Sequence, residues 1–398
     1  SGSIRCSTVP IHYYLYQHNA IVATSTTTKC TDSDSTATFK SCGMFCSSRQ
    51  EIPPYCVIDP LGGLSPQVPA HEYGYDLFAS ISYVPYYCTD LRLVRSSTHI
   101  ITSAVLFECS SSAPNKDIKL SSLGYSPTST SKAIITTSSQ IVTSGCRSIS
   151  IKNLRFDATS SFPDADLFVV FEADEPMIFE IVNNVFNTFP RGVVRHSAVI
   201  DSFTFTDNSM NDQGSYSFMN MDSTNPANAY TRAAVTLGPA SSSGGIEFTI
   251  SRNIMSNMSH VNFVNIKDTS EGALVVISNH KCSGRCGFVT IDNILLDNQI
   301  YVDKYASLTF LRVGVNSGAS ITIMDNVFEA LDAAITPYGS SPNHVFFTAL
   351  SIDKDDETPS DYTLRIRGNS FYGYPVGIRV PELTDASLST NIVTGDVI

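Results

Sequence analysis

Ten cysteines, eight histidines and one acidic loop are the residues of this 398-residue chain whose types and spacing invite chemistry. The cysteines are Cys6, Cys30, Cys42, Cys46, Cys56, Cys88, Cys109, Cys146, Cys282 and Cys286. An even set in a Ser/Thr-rich chain reads as a disulfide framework formed in an oxidising compartment. Spacing leaves the connectivity open. Cys282-Ser-Gly-Arg-Cys286 looks like a stapled loop, and Cys42-Gly-Met-Phe-Cys46 has the same spacing. His280 beside Cys282 keeps a zinc site as the rival reading, since thiolates and imidazoles at such intervals are zinc ligands. Disulfides explain the same residues, so no metal site is assigned.

Asp353, Asp355, Asp356, Glu357 and Asp361 could offer hard oxygen ligands to Ca²⁺, as could Asp164 and Asp166. The loop lacks the glycine and ligand spacing of an EF-hand, so a solvated acidic loop is the plainer expectation and no cofactor is expected. Cleavage of a glycosidic bond would need two carboxylates flanking it. Asp355-Asp356 is an adjacent pair with no histidine partner nearby. The histidines are scattered, none at metal-ligand spacing. No phosphate-cradling glycine loop and no Gly-x-Ser-x-Gly elbow is found. No catalytic residue is assigned, and the chain is read as leaning away from an enzyme.

Two features point to glycans. Asn257-Met258-Ser259 is an N-glycosylation sequon. Ser126-Pro-Thr-Ser-Thr-Ser131, with Thr128, Ser129 and Thr130, has the composition of O-glycosylated tracts. The net charge of −12 argues against a nucleic-acid partner, which would require a basic stripe. No apolar run of membrane-spanning length occurs, so no membrane span is expected. Charged residues make up only 16% of the chain, and Ser and Thr take their place, as on extracellular β-rich surfaces. The chain opens Ser1-Gly2-Ser3, and either end is read as a processing point or an excerpt boundary.

The elements that must position these residues announce themselves by a repeated phrase: apolar, any, apolar, any, any, Asn, any, apolar. It reads Phe179-Glu-Ile181-Val-Asn-Asn184-Val-Phe186, then recurs from Phe203 to Met210, Phe248 to Met255, Ile321 to Phe328 and Leu364 to Phe371. Two copies are one residue shorter, Ile149-Ser-Ile151-Lys-Asn153 and Val289-Thr-Ile291-Asp-Asn293. A weak last copy is Leu388-Ser-Thr-Asn391-Ile-Val393. Alternation is the strand period with one face buried. Asn breaks the strand, because it tolerates the left-handed backbone and bonds locally. The predicted corner residues are therefore Asn153, Asn184, Asn208, Asn253, Asn293, Asn326, Asn369 and Asn391, with stacked amides forming a ladder. The unequal gaps suit a coil of one or two turns per gap with free loops, and do not suit a propeller.

On this phrase, from about residue 149 to 393, the chain resembles the right-handed parallel β-helix proteins, the pectin-lyase-like coils. The resemblance implies an all-β solenoid and leaves activity open, since that fold carries lyases, hydrolases, adhesins and inert spacers. The compact Asn-Thr-Asp and Gly-His-Gly phrases of its hydrolases are absent, and Arg379-Val-Pro381 is a loose match to the Arg-x-Pro of its lyases. A β-sandwich or jelly roll with coincidental Asn turns is the competing fold. Residues 1–100, rich in Cys, Tyr and Pro, read as an irregular disulfide-stapled cap or contact region, and 101–398 as the solenoid.

The expected function is a non-catalytic extracellular or cell-surface structural protein, a coat or filament subunit. It would self-associate through the coil ends and the N-terminal region as a homo-oligomer. The alternative is a carbohydrate-active enzyme or polysaccharide-binding module, with Tyr301, Tyr305 and Phe371-Tyr-Gly-Tyr374 as candidate stacking residues.

Overall fold

The computed structural model describes residues 55–394 apart from several intervening segments. Those left out are 63–74, 85–87, 110–116, 125–130, 164, 172–176, 190–191, 197–199, 212–232, 238–246, 257–261, 267–271, 284–287, 295–297, 309, 316–318, 330–347, 355–362, 374–375, 380–385 and 390–391. Cys6, Cys30, Cys42, Cys46, Cys286, Asn257, Thr128, Ser129, Thr130, Asp355, Asp356 and Asn391 lie outside the described residues.

The alternating sequence folds as alternation demands. Most turns of chain contribute a strand to each of three walls, and every strand pairs in parallel with its neighbours in its wall. The first wall is a 13-stranded sheet running from Tyr75–Phe78 and Tyr55–Ile58 to Ala386–Ser389. The second is a 7-stranded sheet from Thr98–Ile101 to Lys281–Ser283, followed by a 3-stranded sheet from Val327–Glu329 to Ile392–Thr394. The third is a 10-stranded sheet from Val105–Glu108 to Val376–Arg379. The protein is an all-β parallel solenoid. Among the described residues the one helical piece is a 3₁₀ turn, Ile81–Tyr83.

Register keeps like residues in rows along the axis. Ile149, Phe179, Phe203, Phe248 and Val275 pair in succession down the first wall, and Ile151, Ile181, Phe205, Ile250 and Ile277 form the row beside them. All of these are buried. From the second wall Phe156, Phe186 and Met210 complete the interior. Phe186 stacks between Phe156 at 5.4 Å and Phe205 at 6.2 Å, and Phe328 stacks on Phe371 at 4.7 Å. A one-residue slip would turn every such row to solvent, so burial itself pins the register.

The coil begins earlier than its sequence suggested. Tyr55–Ile58 and Asp90–Leu93 are already strands of the first wall, so the expected boundary at residue 100 falls inside the strand Thr98–Ile101. The Asn phrase is missing from these first turns, and frequent Pro and Tyr disguise them. Two disulfides fasten this end inside the core: Cys56–Cys88, and Cys109–Cys146, which spans 37 residues across successive turns. Gly145, at φ +69°, lies so close to Cys109 that an added Cβ would sit 2.6 Å from its carbonyl oxygen. Paired Cys109→Ala and Cys146→Ala substitution is expected to cost about 4 kcal/mol by the loop-entropy relation. Urea unfolding of wild type and variant under non-reducing conditions measures it.

Candidate functional site

The recurring polar residue of the chain is the natural place to look for a site, and its geometry repeats. Where the chain leaves the first wall for the second, one residue adopts positive φ: Asn153, Asn183, Asp207, Arg252, Asn279, Lys304, Asp325 or Gly368. The residue after it carries the ladder side chain. Asn208 accepts the Asn184 N–H at 2.9 Å through Oδ1 and donates from Nδ2 to Ile181 O at 2.9 Å. Asn184 does the same to Leu154 N–H and Ile151 O, and Asn253 to Asn208 N–H and Phe205 O. Farther along, Asn326 engages Tyr305 N–H and Val302 O, and Asn369 engages Asn326 N–H and Ile323 O. Each amide thus takes up the corner N–H, which a buried tight turn would otherwise leave unpaired, and adds a second bond to a carbonyl of the strand before it. All five asparagines are buried, at 0–1% exposure, and spend their hydrogen bonds inside the wall.

Two predicted corner residues have other places. Asn153 is itself the positive-φ residue, and Leu154 takes the ladder position; that is why its copy of the phrase was one residue short. Its Oδ1 accepts from Asn183 Nδ2 at 2.9 Å on the outer side. Asn293 is no corner at all. It lies within the strand Phe288–Ile294 of the third wall, where a chance alternation imitates the phrase. The two rungs missed between Asn253 and Asn326 are His280 and Tyr305. The signal was present as Val275-Val-Ile277-Ser-Asn-His280 and Ile300-Tyr-Val302-Asp-Lys-Tyr305, the same phrase with a ring in place of the amide. Every gap from Leu154 to Asn369 is consequently a single turn.

His280 reproduces the amide. Its Nδ1 accepts Asn253 N–H at 3.2 Å and its Nε2 donates to Ile250 O at 2.9 Å. Burial pushes its pKa down to about 3. Tyr305, buried beside it, sends its hydroxyl to Met255 Sδ at 3.5 Å, and burial pushes the phenol pKa up. A second buried histidine, His99, lies with Nε2 3.2 Å from Val94 O, and burial lowers its pKa to about 4.

Outside the wall the corner row carries charges. Arg252 grips Asp207 one turn away with two bonds, at 2.8 and 2.7 Å. Lys132 donates to the Asn183 backbone oxygen and, at 2.9 Å, to its Oδ1; burial lowers the pKa of this amine to about 8. A further row runs from Asp157 through Asn187 and Asn211 to Ser256, each side chain bonded to the next.

The other expected site residues scatter. Cys56, Cys88, Cys109, Cys146 and Cys282 are disulfide-bonded, so the thiol that a zinc site at Cys282 and His280 would need is already engaged, and both His280 nitrogens are too. Asp353 is a strand residue in Thr348–Lys354, and Arg379 ends the strand Val376–Arg379. Among the described residues no group of three or more His, Cys, Asp or Glu side chains could hold a metal ion. Of the aromatic candidates, Tyr305 and Phe371 are core, while Tyr301 and Tyr372 are exposed on different sheets. No helix among the described residues is long and apolar enough to cross a membrane.

The class this geometry defines is the parallel β-solenoid with an internal amide ladder. Compared with known proteins, the chain matches no family model, no curated protein and no solved structure.

Asn208→Ala would strand the Asn184 N–H inside the wall and remove a second bond from the Ile181 carbonyl, which the strand ladder also engages. At about 1–3 kcal/mol for one buried unpaired group, a loss of about 2 kcal/mol is expected in chemical denaturation. Asp207→Ala, one residue away but on the exposed ion pair, is expected to cost under about 1 kcal/mol.

Proposed function

We propose that this chain is a non-catalytic extracellular structural protein, a surface-coat or filament subunit whose work is to present a long stiff wall. The observation that carries this reading is the spending of the repeated polar residue. Asn184, Asn208, Asn253, Asn326 and Asn369 are buried and use their amides to tie one turn to the next. Residues that recur for recognition or catalysis would face solvent with free donors or acceptors. The disulfides at Cys56–Cys88 and Cys109–Cys146 support an oxidising, extracellular setting. The outward positions of the first wall, among them Ser148, Ser150, Ser202, Thr204, Thr249, Ser320 and Thr322, support a surface of hydroxyls. We read the coil as right-handed and pectin-lyase-like in its winding, because connections between parallel strands of one sheet overwhelmingly take that hand. Self-association is proposed through the ends of the coil, where the strands of each wall stop and a further strand can pair.

Native chain examined by sedimentation velocity and negative-stain microscopy over a wide concentration range is expected to give rods or filaments that lengthen with concentration. A monomer at every concentration would overturn the assembly reading. Cleavage of any member of a panel of polyuronides and neutral glycans would overturn the non-catalytic one.

A further inference from the structure

One rung of the amide row is an imidazole, and its bonds fix its protonation. A backbone N–H only donates, so His280 Nδ1, which meets Asn253 N–H at 3.2 Å, carries no hydrogen. A carbonyl oxygen only accepts, so Nε2, 2.9 Å from Ile250 O, carries one. Both bonds hold together only in the neutral ring. An imidazolium has two donors and no acceptor, and would press a second hydrogen against Asn253 N–H.

Among the described residues nothing packed on the ring offers relief. Phe263 meets it edge-on at 5.2 Å and Tyr305 lies tilted at 4.8 Å, with Met255 beyond the Tyr305 hydroxyl. The groups facing His280 from these elements are thus Ile250, Asn253, Met255, Phe263 and Tyr305, and the phenol of Tyr305 is the single titratable one among the described residues. Lys281 beside the ring, and Asp303 and Lys304 beside Tyr305, stand at exposed or half-buried positions, and none contributes to the shift of the ring. The next rung is weaker as well. Tyr305 directs its hydroxyl to Met255 Sδ and has no oxygen at the height where an Asn would accept the His280 N–H, so the side-chain row skips a step there. Between His280 and Tyr305 the corner is held by backbone bonds, Asn279 N to Asp303 O and Ala306 N to His280 O.

We propose that His280 is an acid-sensitive joint in the coil: a proton on Nδ1 removes the acceptor that holds the Asn253 corner, and the wall opens locally there while the Asn-built corners farther along, at Asn184 and Asn326, stay closed. Solenoids permit such local opening, because each turn contacts only its neighbours.

The direction in pH follows from burial. The closed ring holds its pKa at about 3, against 6.5 for the ordinary group. A closed-state pKa depressed in this way leaves the joint at full strength above about pH 6.5 and weakens it as pH falls from there towards about 3. Within that window each pH unit favours the open, protonated state by about tenfold.

Hydrogen exchange on the full native chain at pH 6.5 and 4.5, corrected for intrinsic rates, tests the joint. The amides of Asn253 and Lys281 are expected to lose protection about 50-fold, because at pH 6.5 half of the open rings already carry the proton. Those of Asn184 and Asn326 are expected to change by less than about threefold, since no proton acts on an Asn rung. In His280→Asn, which restores the amide chemistry of the other rungs, the Asn253 loss is expected to vanish. Unchanged Asn253 protection in wild type, an equal loss at Asn184 and Asn326, or full acid sensitivity retained in His280→Asn would each overturn the proposal. Should that variant not fold, the His280 ring signals of the native wild type decide: a titration midpoint near 6.5 in the closed state overturns it, and a ring still neutral at pH 4.5 supports it.

Discussion

An asparagine amide bridging two backbone groups of the preceding corner is the interaction on which this molecule depends. A coil of short strands must turn sharply once per wall, and the sharp turn takes a backbone N–H out of the ladder while keeping it away from water. Asn208 accepts that N–H at Asn184 and, with the same planar group, ties itself to Ile181 O in the strand before the turn. The same offset recurs at every Asn rung: the corner residue supplies the N–H, and the residue three before it supplies the carbonyl. At the five Asn rungs this one amide lets the turn be both tight and buried.

The rest of the architecture follows from the tightness of this one corner. Because it has a fixed length, the residues on either side enter the core in fixed phase, and Phe179, Ile181 and Phe186 point inward together. Rows of like residues then stack along the axis, and aromatic pairs such as Phe156–Phe186 and Phe328–Phe371 meet nearly face to face. The other connections carry no such constraint. Rungs therefore stand 24 residues apart between Asn184 and Asn208 but 45 between Asn208 and Asn253, though each interval is one turn. Length is absorbed away from the corner that must stay short.

Much of this was legible because it is periodic. Alternation marked the strands, and the Asn phrase marked five rungs in their true places. Legibility failed where a different side chain did the same job or the same pattern did a different one. His280 replaces an amide by presenting one acceptor and one donor nitrogen at similar spacing, and nothing in a search for Asn would find it. Asn293 satisfies the pattern inside a strand of the third wall, where the alternation belongs to that wall instead. The first turns, around Cys56, Leu91 and Cys109, hold together by disulfides and a common core in place of an amide row, and so gave no phrase to read.

The sequence by itself determined the fold class, because period-two alternation with recurrent turn residues leaves few ways to bury one face of so many short strands. It also determined which residues could bridge a corner. Only the tertiary structure decided which residue of each corner takes positive φ and which is buried, since Asn153 and Asn184 are alike as amino acids and differ by one step of register. It alone paired the cysteines at the N-terminal end, and it alone placed His280 and Tyr305 in the amide row. Those choices depend on what lies one turn above and below, 20 to 45 residues away in the chain, and no local pattern carries that distance.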